Sequence, residues 1–253
     1  MNLSVVIITK NEEANIMNCI QSARKVSNDI IVVDSGSSDN TVQMALSCGV
    51  KIVHVVWAGF GDARNIGASA AMNNWILSLD ADERLSNELA ASINNQNLQN
   101  SSIVYGFKRQ SYFVNKKIRF GDWGRDKVFR LYNRRATSWN LFPVHESLII
   151  NQAKRKMING NLEHFTSKSL DQNKEKLIRY AELCAKKYCL LGRRSSVINM
   201  IFSPLFSFVN GYFIRFGFLD GKEGFNIAKS NAYYTWLKYY YLHHLSKKSV
   251  SFY

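Results

Sequence analysis

The sequence predicts an α/β fold, a doubly wound, mostly parallel sheet followed by a helical appendage. Three observations carry this. Short apolar runs at Leu3–Thr9, Asp29–Val33, Lys51–Val56 and Trp75–Leu79 alternate with helical periods. The first run, rich in β-branched residues, is apolar on both faces, as a central parallel strand requires. Beyond Asn161 the pattern becomes mainly helical. The expected division is residues 1–165 as a sheet domain and residues 166–253 as a basic, aromatic-rich helical appendage.

Element by element, Leu3–Thr9 ends in Lys10-Asn11-Glu12-Glu13, where Asn11 is a candidate helix N-cap ahead of a helix ending near Lys25. Asp29–Val33 ends in Asp34-Ser35-Gly36-Ser37-Ser38-Asp39-Asn40-Thr41, and a helix follows over Thr41–Cys48. Glycines punctuate Trp57–Ala71, where Asp62-Ala63-Arg64-Asn65 reads as a helix start. Trp75–Leu79 stops abruptly in Asp80-Ala81-Asp82-Glu83, and a helix is expected from Ser86 to about Gln96. Short aromatic strands follow at Val104–Lys108, Ser111–Val114, Ile118–Phe120, Lys127–Tyr132 and His145–Ile150. Leu170–Leu191 reads as a basic helix. Val197–Leu219 is strongly apolar but broken by Ser203, Pro204, Asn210, Gly211 and Arg215. That texture suits a helix lying in a membrane interface. A turn at Asp220–Gly224 precedes a last helix ending in Tyr239-Tyr240-Tyr241.

Bulk properties narrow the function. A chain of 253 residues, 46% hydrophobic and 21% charged, describes a folded protein with a full core. Its net charge of +14 is uneven: residues 1–150 carry 16 Lys and Arg against 13 Asp and Glu, residues 151–253 carry 17 against 6. A basic C-terminal third suits a polyanionic partner: nucleic acid, an acidic membrane surface, or a phosphorylated glycan. Nucleic acid is not expected, because carboxylates at the strand ends would repel it. Cys19, Cys48, Cys184 and Cys189 lack zinc spacing and read as reduced thiols of a cytoplasmic protein. The N-terminus enters a strand without a signal core, and no run of about 20 uninterrupted apolar residues occurs. Secretion and a simple membrane span are therefore not expected.

Carboxylates at a strand end are what an enzyme needs to set a hard cation beside a diphosphate, since Mg2+ and Mn2+ take carboxylate oxygens and then phosphate and water. A solvated turn before the Ser86 helix is the alternative. Taken with Thr9-Lys10-Asn11-Glu12-Glu13 and Asp34–Thr41, the acids in this order resemble family 2 glycosyltransferases of the GT-A fold. Phe129-Arg130-Leu131-Tyr132, Pro143-Val144-His145-Glu146 and Gly217–Phe225 are similar to the branch containing lipopolysaccharide inner-core β-glucosyltransferases.

The resemblance implies an inverting, metal-dependent transfer of glucose from UDP-glucose to a lipid-linked glycan, an inner-core heptose of lipopolysaccharide. It places the enzyme on the inner face of a cytoplasmic membrane. Alternatives are a polyprenyl-phosphate or capsule acceptor, or a sugar nucleotidyltransferase. It implies that Thr9, Asn11 and Glu13 line the nucleotide pocket, and that Asp34 accepts the uracil imide unless it is a turn acid. Asp39 reads better as a helix cap. Arg64 approaches the diphosphate, the alternative being a helix-surface arginine. Asp80 touches ribose or metal-bound water, Asp82 binds Mg2+ or Mn2+, and Glu83 orients them. Glu146 is the first candidate for the base and Asp126 the second. His145 is a candidate metal or phosphate contact, the alternative being a structural histidine. Arg125 and Arg130 suit phosphate. Trp123 and Trp139 are candidates either for sugar stacking or for core packing.

Overall fold

The computed structural model describes residues 2–114, 116–142, 146–150, 153–167 and 170–248. The chain divides into two units, residues 1–109 with 127–164, and residues 110–126 with 165–253. The transfer of residues 110–126 to the helical part follows no shift in composition.

In the first unit, β1 (Leu3–Thr9), β2 (Asp29–Asp34), β3 (Lys51–His54) and β4 (Trp75–Asp80) alternate with α1 (Ile16–Ala23), α2 (Thr41–Ser47) and α3 (Phe60–Ala70). β1 lies between β2 and β4, parallel to both, and β2 continues to β3 in parallel. Strand periodicity sorts the core into two layers. Val5, Ile7, Ile30, Val32, Leu77 and Leu79 join α1 on one face. Val6, Ile8, Ile31, Val33 and Ile76 meet Ala63 and Ala68 of α3 on the other. Gly67 allows the close approach of α3, because a Cβ there would run into Val6 and Val33.

The sheet then turns mixed. β5 (Glu83–Leu85) leads into α4 (Asn87–Asn94), whose N-cap Ser86 accepts from Leu89 N at 3.1 Å. β6 (Ile103–Phe113), β7 (Lys116–Lys117), β8 (Asp126–Asn133) and β9 (Lys154–Ser167) complete it, in the order β3-β2-β1-β4-β8-β6-β9-β5 with β7 on β6. β8 is antiparallel to β4, and β9 to β5. A parallel half with an antiparallel extension is the GT-A arrangement.

Three local expectations need correction. Asn11 is not the cap of α1: that helix starts at Ile16 with Asn15 before it, and Asn11 adopts φ 55°. The strands expected at Ser111–Val114 and Ile118–Phe120 are instead the end of one long β6 and a bend. The Arg119 and Phe120 amides donate to the Asp220 carboxylate at 3.1 and 2.8 Å, so they are not free for a ladder. Within Glu146–Ile150, Leu148 makes only an isolated bridge to Trp139.

The second unit is built from α5 (Leu170–Leu190), α6 (Val197–Val209), a π turn (Asn210–Ile214), a 3₁₀ turn (Gly217–Asp220) and α7 (Gly221–Lys248). The turn expected at Asp220–Gly224 is thus the start of a helix. Buried Asp220 holds the 119–120 bend, and Asp122 takes Arg215 at 2.7 Å and Asn231 at 3.0 Å. Residues 197–214 are long and apolar enough, by length and composition, to cross a membrane, yet only 6% of that stretch is buried.

Candidate active site

β1, β2 and β4 end side by side, with Thr9 opposite Asp34 and Ile8 opposite Asp80. Their loops share the carboxyl edge, where open α/β sheets take ligands. The first two loops are tied together. Asn11 Oδ1 accepts from Ser38 N at 2.8 Å, and Asn11 N donates to Ser37 Oγ at 2.9 Å. Glu13 Oε2 accepts from Asn40 N at 3.1 Å. Asp39 receives the Thr41 amide at 3.0 Å and the Glu13 amide at 3.2 Å. Asp34 is buried and accepts from Gly36 N, Ser37 N and Ser37 Oγ at 2.5–3.2 Å. A carboxylate has about four acceptor positions, and with Ser37 N shared by both oxygens and His54 Nδ1 3.5 Å from Oδ2 the turn takes up most of them. Thr9 Oγ1 is buried with no partner among the described residues.

The acids after β4 sit in a lattice of arginines. Arg64 is 1% exposed rather than on a helix surface. Its Nη1 donates to Ser78 Oγ at 2.7 Å, and its Nη2 lies 2.5 Å from Asp80 Oδ1 and 3.4 Å from Glu146 Oε1. Arg130 Nη2 donates to Asp80 Oδ2 at 3.0 Å and lies 3.8 Å from Glu83 Oε1. Both guanidinium groups stack over the Trp139 ring, at 4.7 and 5.4 Å. Trp139 Nε1 donates to Tyr132 Oη at 3.1 Å. Trp139 is therefore a packed support, not an open platform for a sugar.

Asp82 is 6% exposed, and its Oδ2 lies 3.3 Å from His164 Nε2. That contact follows from the β5–β9 register, which sets Glu83 opposite His164. Glu83, with no exposed surface, accepts the Asp80 amide at 2.9 Å and stands 3.5 Å from Arg109. Burial alone would lift the Asp80 carboxyl, but the Arg130 and Arg64 charges hold it well below the usual range. Burial and then the Asp80 charge push Glu83 up. The two adjacent carboxyls are thus pushed in opposite directions, Asp80 down by the arginines and Glu83 up by burial and the Asp80 charge.

Buried side-chain atoms without a hydrogen-bond partner gather around these acids: Arg64 Nε, Glu83 Oε1, Arg130 Nη1 and His164 Nδ1, with Thr9 Oγ1 one strand away. A buried group left unsatisfied costs about 1–3 kcal/mol, and these lie together at the carboxyl edge, Glu83 Oε1 having only the longer ion-pair contacts to Arg109 and Arg130. No group of three or more His, Cys, Asp or Glu able to hold a metal occurs among the described residues. Asp82 and His164 nevertheless offer two donors. A hard cation completes its shell from phosphates and water, so the pair fits a cation bound together with a diphosphate. Both Asp80 oxygens face arginines, which favours Asp82 as the direct ligand.

The other expected residues fall as follows. Glu146 joins the cluster through Arg64. Asp126, Trp123 and Arg125 belong to the second unit. Trp123 packs edge-on against Phe113 at 5.7 Å beside Ile118 and Ile227, and Asp126 opens β8 half-buried. His145 lies outside the described residues, as does the side chain of Arg125. Sequence reasoning missed His164. A single histidine in an alternating strand carries no mark of its own, and only the pairing register brings it to Asp82.

Comparison with known proteins gives a consistent answer. The sequence model described as Glycosyl transferase family 2 matches residues 4–158. An uncharacterised glycosyltransferase of Rickettsia typhi is 31% identical, covering 98% of this chain and 88% of its own length. The lipopolysaccharide core biosynthesis glycosyltransferase LpsC of Rhizobium meliloti is 28% identical over 93% of this chain and 89% of its own length. Among solved structures, glucosyl-3-phosphoglycerate synthase of Mycobacterium tuberculosis, in complex with Mn2+ and UDP, is 27% identical over 44% of each chain. Its TM-score of 0.36 is too low to carry an argument.

Proposed function

The chain belongs to glycosyl transferase family 2, and from that premise we infer that it moves glucose from UDP-glucose to a lipid-linked glycan, with inversion. The acceptor in this reading is an inner-core heptose of lipopolysaccharide, in keeping with the LpsC relative. The enzyme then works as a peripheral protein on the inner face of the cytoplasmic membrane, where its basic C-terminal third meets acidic sugars and phosphates.

The observation that carries the reading is the set of unpartnered buried groups around Asp80, Asp82 and Glu83. Thr9, Asn11, Glu13 and Asp34 take the uridine. Arg64 and Arg130 turn their spare N–H groups, Nε and Nη1, to the diphosphate. Asp82 with His164 would hold Mg2+ or Mn2+, whose chemistry when bound is to offset the charge of the departing diphosphate. Glu146, oriented by Arg64 at 3.4 Å, takes the proton of the acceptor hydroxyl. The freed oxygen bonds the anomeric carbon as the bond to UDP breaks and its electrons pass to the UDP oxygen.

The test is UDP release from a panel of UDP-sugars with heptose-terminated lipopolysaccharide, with Mg2+ or Mn2+ and then with EDTA. One donor should release UDP only with acceptor and metal present. Asp82→Ala should lose more than about 100-fold, since charge stabilisation at such a site is worth several kcal/mol. Full turnover in that variant with chelator would overturn the assignment, and release of pyrophosphate would move it to nucleotidyl transfer.

A further inference from the structure

α6 is inside out. Along it the exposed positions come in pairs at helical spacing: Val197 and Ile198, Ile201 and Phe202, Leu205 and Phe206, then Val209, Phe213 and Ile214. All are large and apolar, and each is 36–67% exposed. The opposite stripe, half-buried or buried, mixes Asn199, Ser203, Ser207 and Gly211 with Met200 and Phe208. That stripe faces α7: Ser207 Oγ lies 3.5 Å from Thr235 Oγ1, and the Phe208 ring lies 5.9 Å from Phe225. A helix in water does the reverse, turning its polar side outward. Beyond Ile214 the apolar surface continues through exposed Phe216, Phe218 and Leu219, and before α6 through Leu190 and Leu191. Exposed cations rim it, Arg193 and Arg194 before α6, Arg215 and Lys222 after it.

We propose that α6 and the turn after it are embedded sideways in one leaflet of an anionic bilayer, with Arg193, Arg194 and Lys222 on the headgroup phosphates. Charge selects this occupant. Apolar residues flanked by arginine and lysine match acyl chains beneath anionic headgroups, whereas a second copy of the chain would set one cationic rim against another. The packing selects the orientation. α6 lies along α7, which carries Lys222, Glu223, Lys229 and Lys238. A crossing helix would draw those charges into the hydrocarbon, but an in-plane helix leaves them on the water side. The proposal deepens the membrane part of the reading above and rests on it, but not on the donor assignment.

Flotation of the full chain with vesicles tests it. The protein should float with vesicles in which about a third of the lipid is phosphatidylglycerol, and less with phosphatidylcholine alone. Replacing Ile198→Ser, Phe202→Ser and Phe206→Ser together should weaken binding at least about tenfold. The melting curve should be unchanged, because these side chains are exposed. Arg193→Ala with Arg194→Ala should lower binding to the anionic vesicles only. Equal flotation of the triple serine variant would overturn this surface while leaving membrane attachment intact. No flotation of the parent would overturn both. A parent dimer that the triple variant converts to monomer, without flotation, would make the face a contact between copies. Resistance of the parent to alkaline carbonate extraction would make α6 a span.

Discussion

Arg64 and Arg130 reach Asp80 from two different elements, and the Trp139 ring is the surface both rest on. Trp139→Phe keeps an aromatic face but removes the bond to Tyr132. It should cost about 1 kcal/mol in urea unfolding and leave turnover within a few-fold. Trp139→Leu removes the face as well and opens a cavity, so a loss of about 3 kcal/mol and a rise in donor KM are expected. Equal KM in the two variants would show that the ring only fills space. Asp39 gives a pH-dependent prediction. Partial burial opposes its ionisation, but the Thr41 and Glu13 hydrogen bonds win and hold its carboxyl below the ordinary value of 3.8. The anion is therefore the form bound in the fold. Its contribution is full above that value and is lost as pH falls through the lowered one. The stability gap between the protein and Asp39→Ala should be about 1 kcal/mol at neutral pH and close as pH falls below 3.8 through the lowered value. At this scale the acids were legible because each follows an apolar run directly. His164 and the stacked role of Trp139 were not, because both depend on residues far away in sequence.

Elements were legible where a strand is buried on both faces. β1 ends where its apolar run ends, and β2 and β4 run one residue further, into Asp34 and Asp80, since the ladder and the core determine them. They were illegible where a side chain competes for the backbone, as Asp220 does for the Arg119 and Phe120 amides about 100 positions away. α3 shows how an element positions the site. It carries Arg64, and its height above the sheet is fixed by Gly67 against Val6 and Val33. Gly67→Ala would lift α3 from the sheet, at a cost of about 1–3 kcal/mol, and move the Arg64 guanidinium away from Asp80. The expected outcome is a lowered urea midpoint together with weaker UDP binding in calorimetry. A destabilised variant that binds UDP at full strength would detach the helix position from the site.

At the scale of the whole molecule, a ligand that paired with the buried polar groups at the carboxyl edge would remove a cost that the fold otherwise carries. Binding to the folded state alone adds RT ln(1 + [L]/Kd), about 2.7 kcal/mol at one hundred times Kd. In a chain of 253 residues, each kcal/mol moves the midpoint by about 2–4 °C. UDP with Mn2+ should therefore raise the melting temperature by roughly 5–10 °C. The route of that gain distinguishes the donors. If Asp82 and His164 hold the cation beside the diphosphate, UDP with EDTA should give only a small part of the rise. Mn2+ without UDP should likewise give little, because two protein donors leave most of a hard cation's shell to phosphate and water. Asp82→Ala and His164→Ala should each flatten the Mn2+-dependent part while keeping the small shift due to UDP alone. The same full rise in EDTA would assign the nucleotide's binding to the arginines and the Asp34 turn, and would remove the cation from this edge.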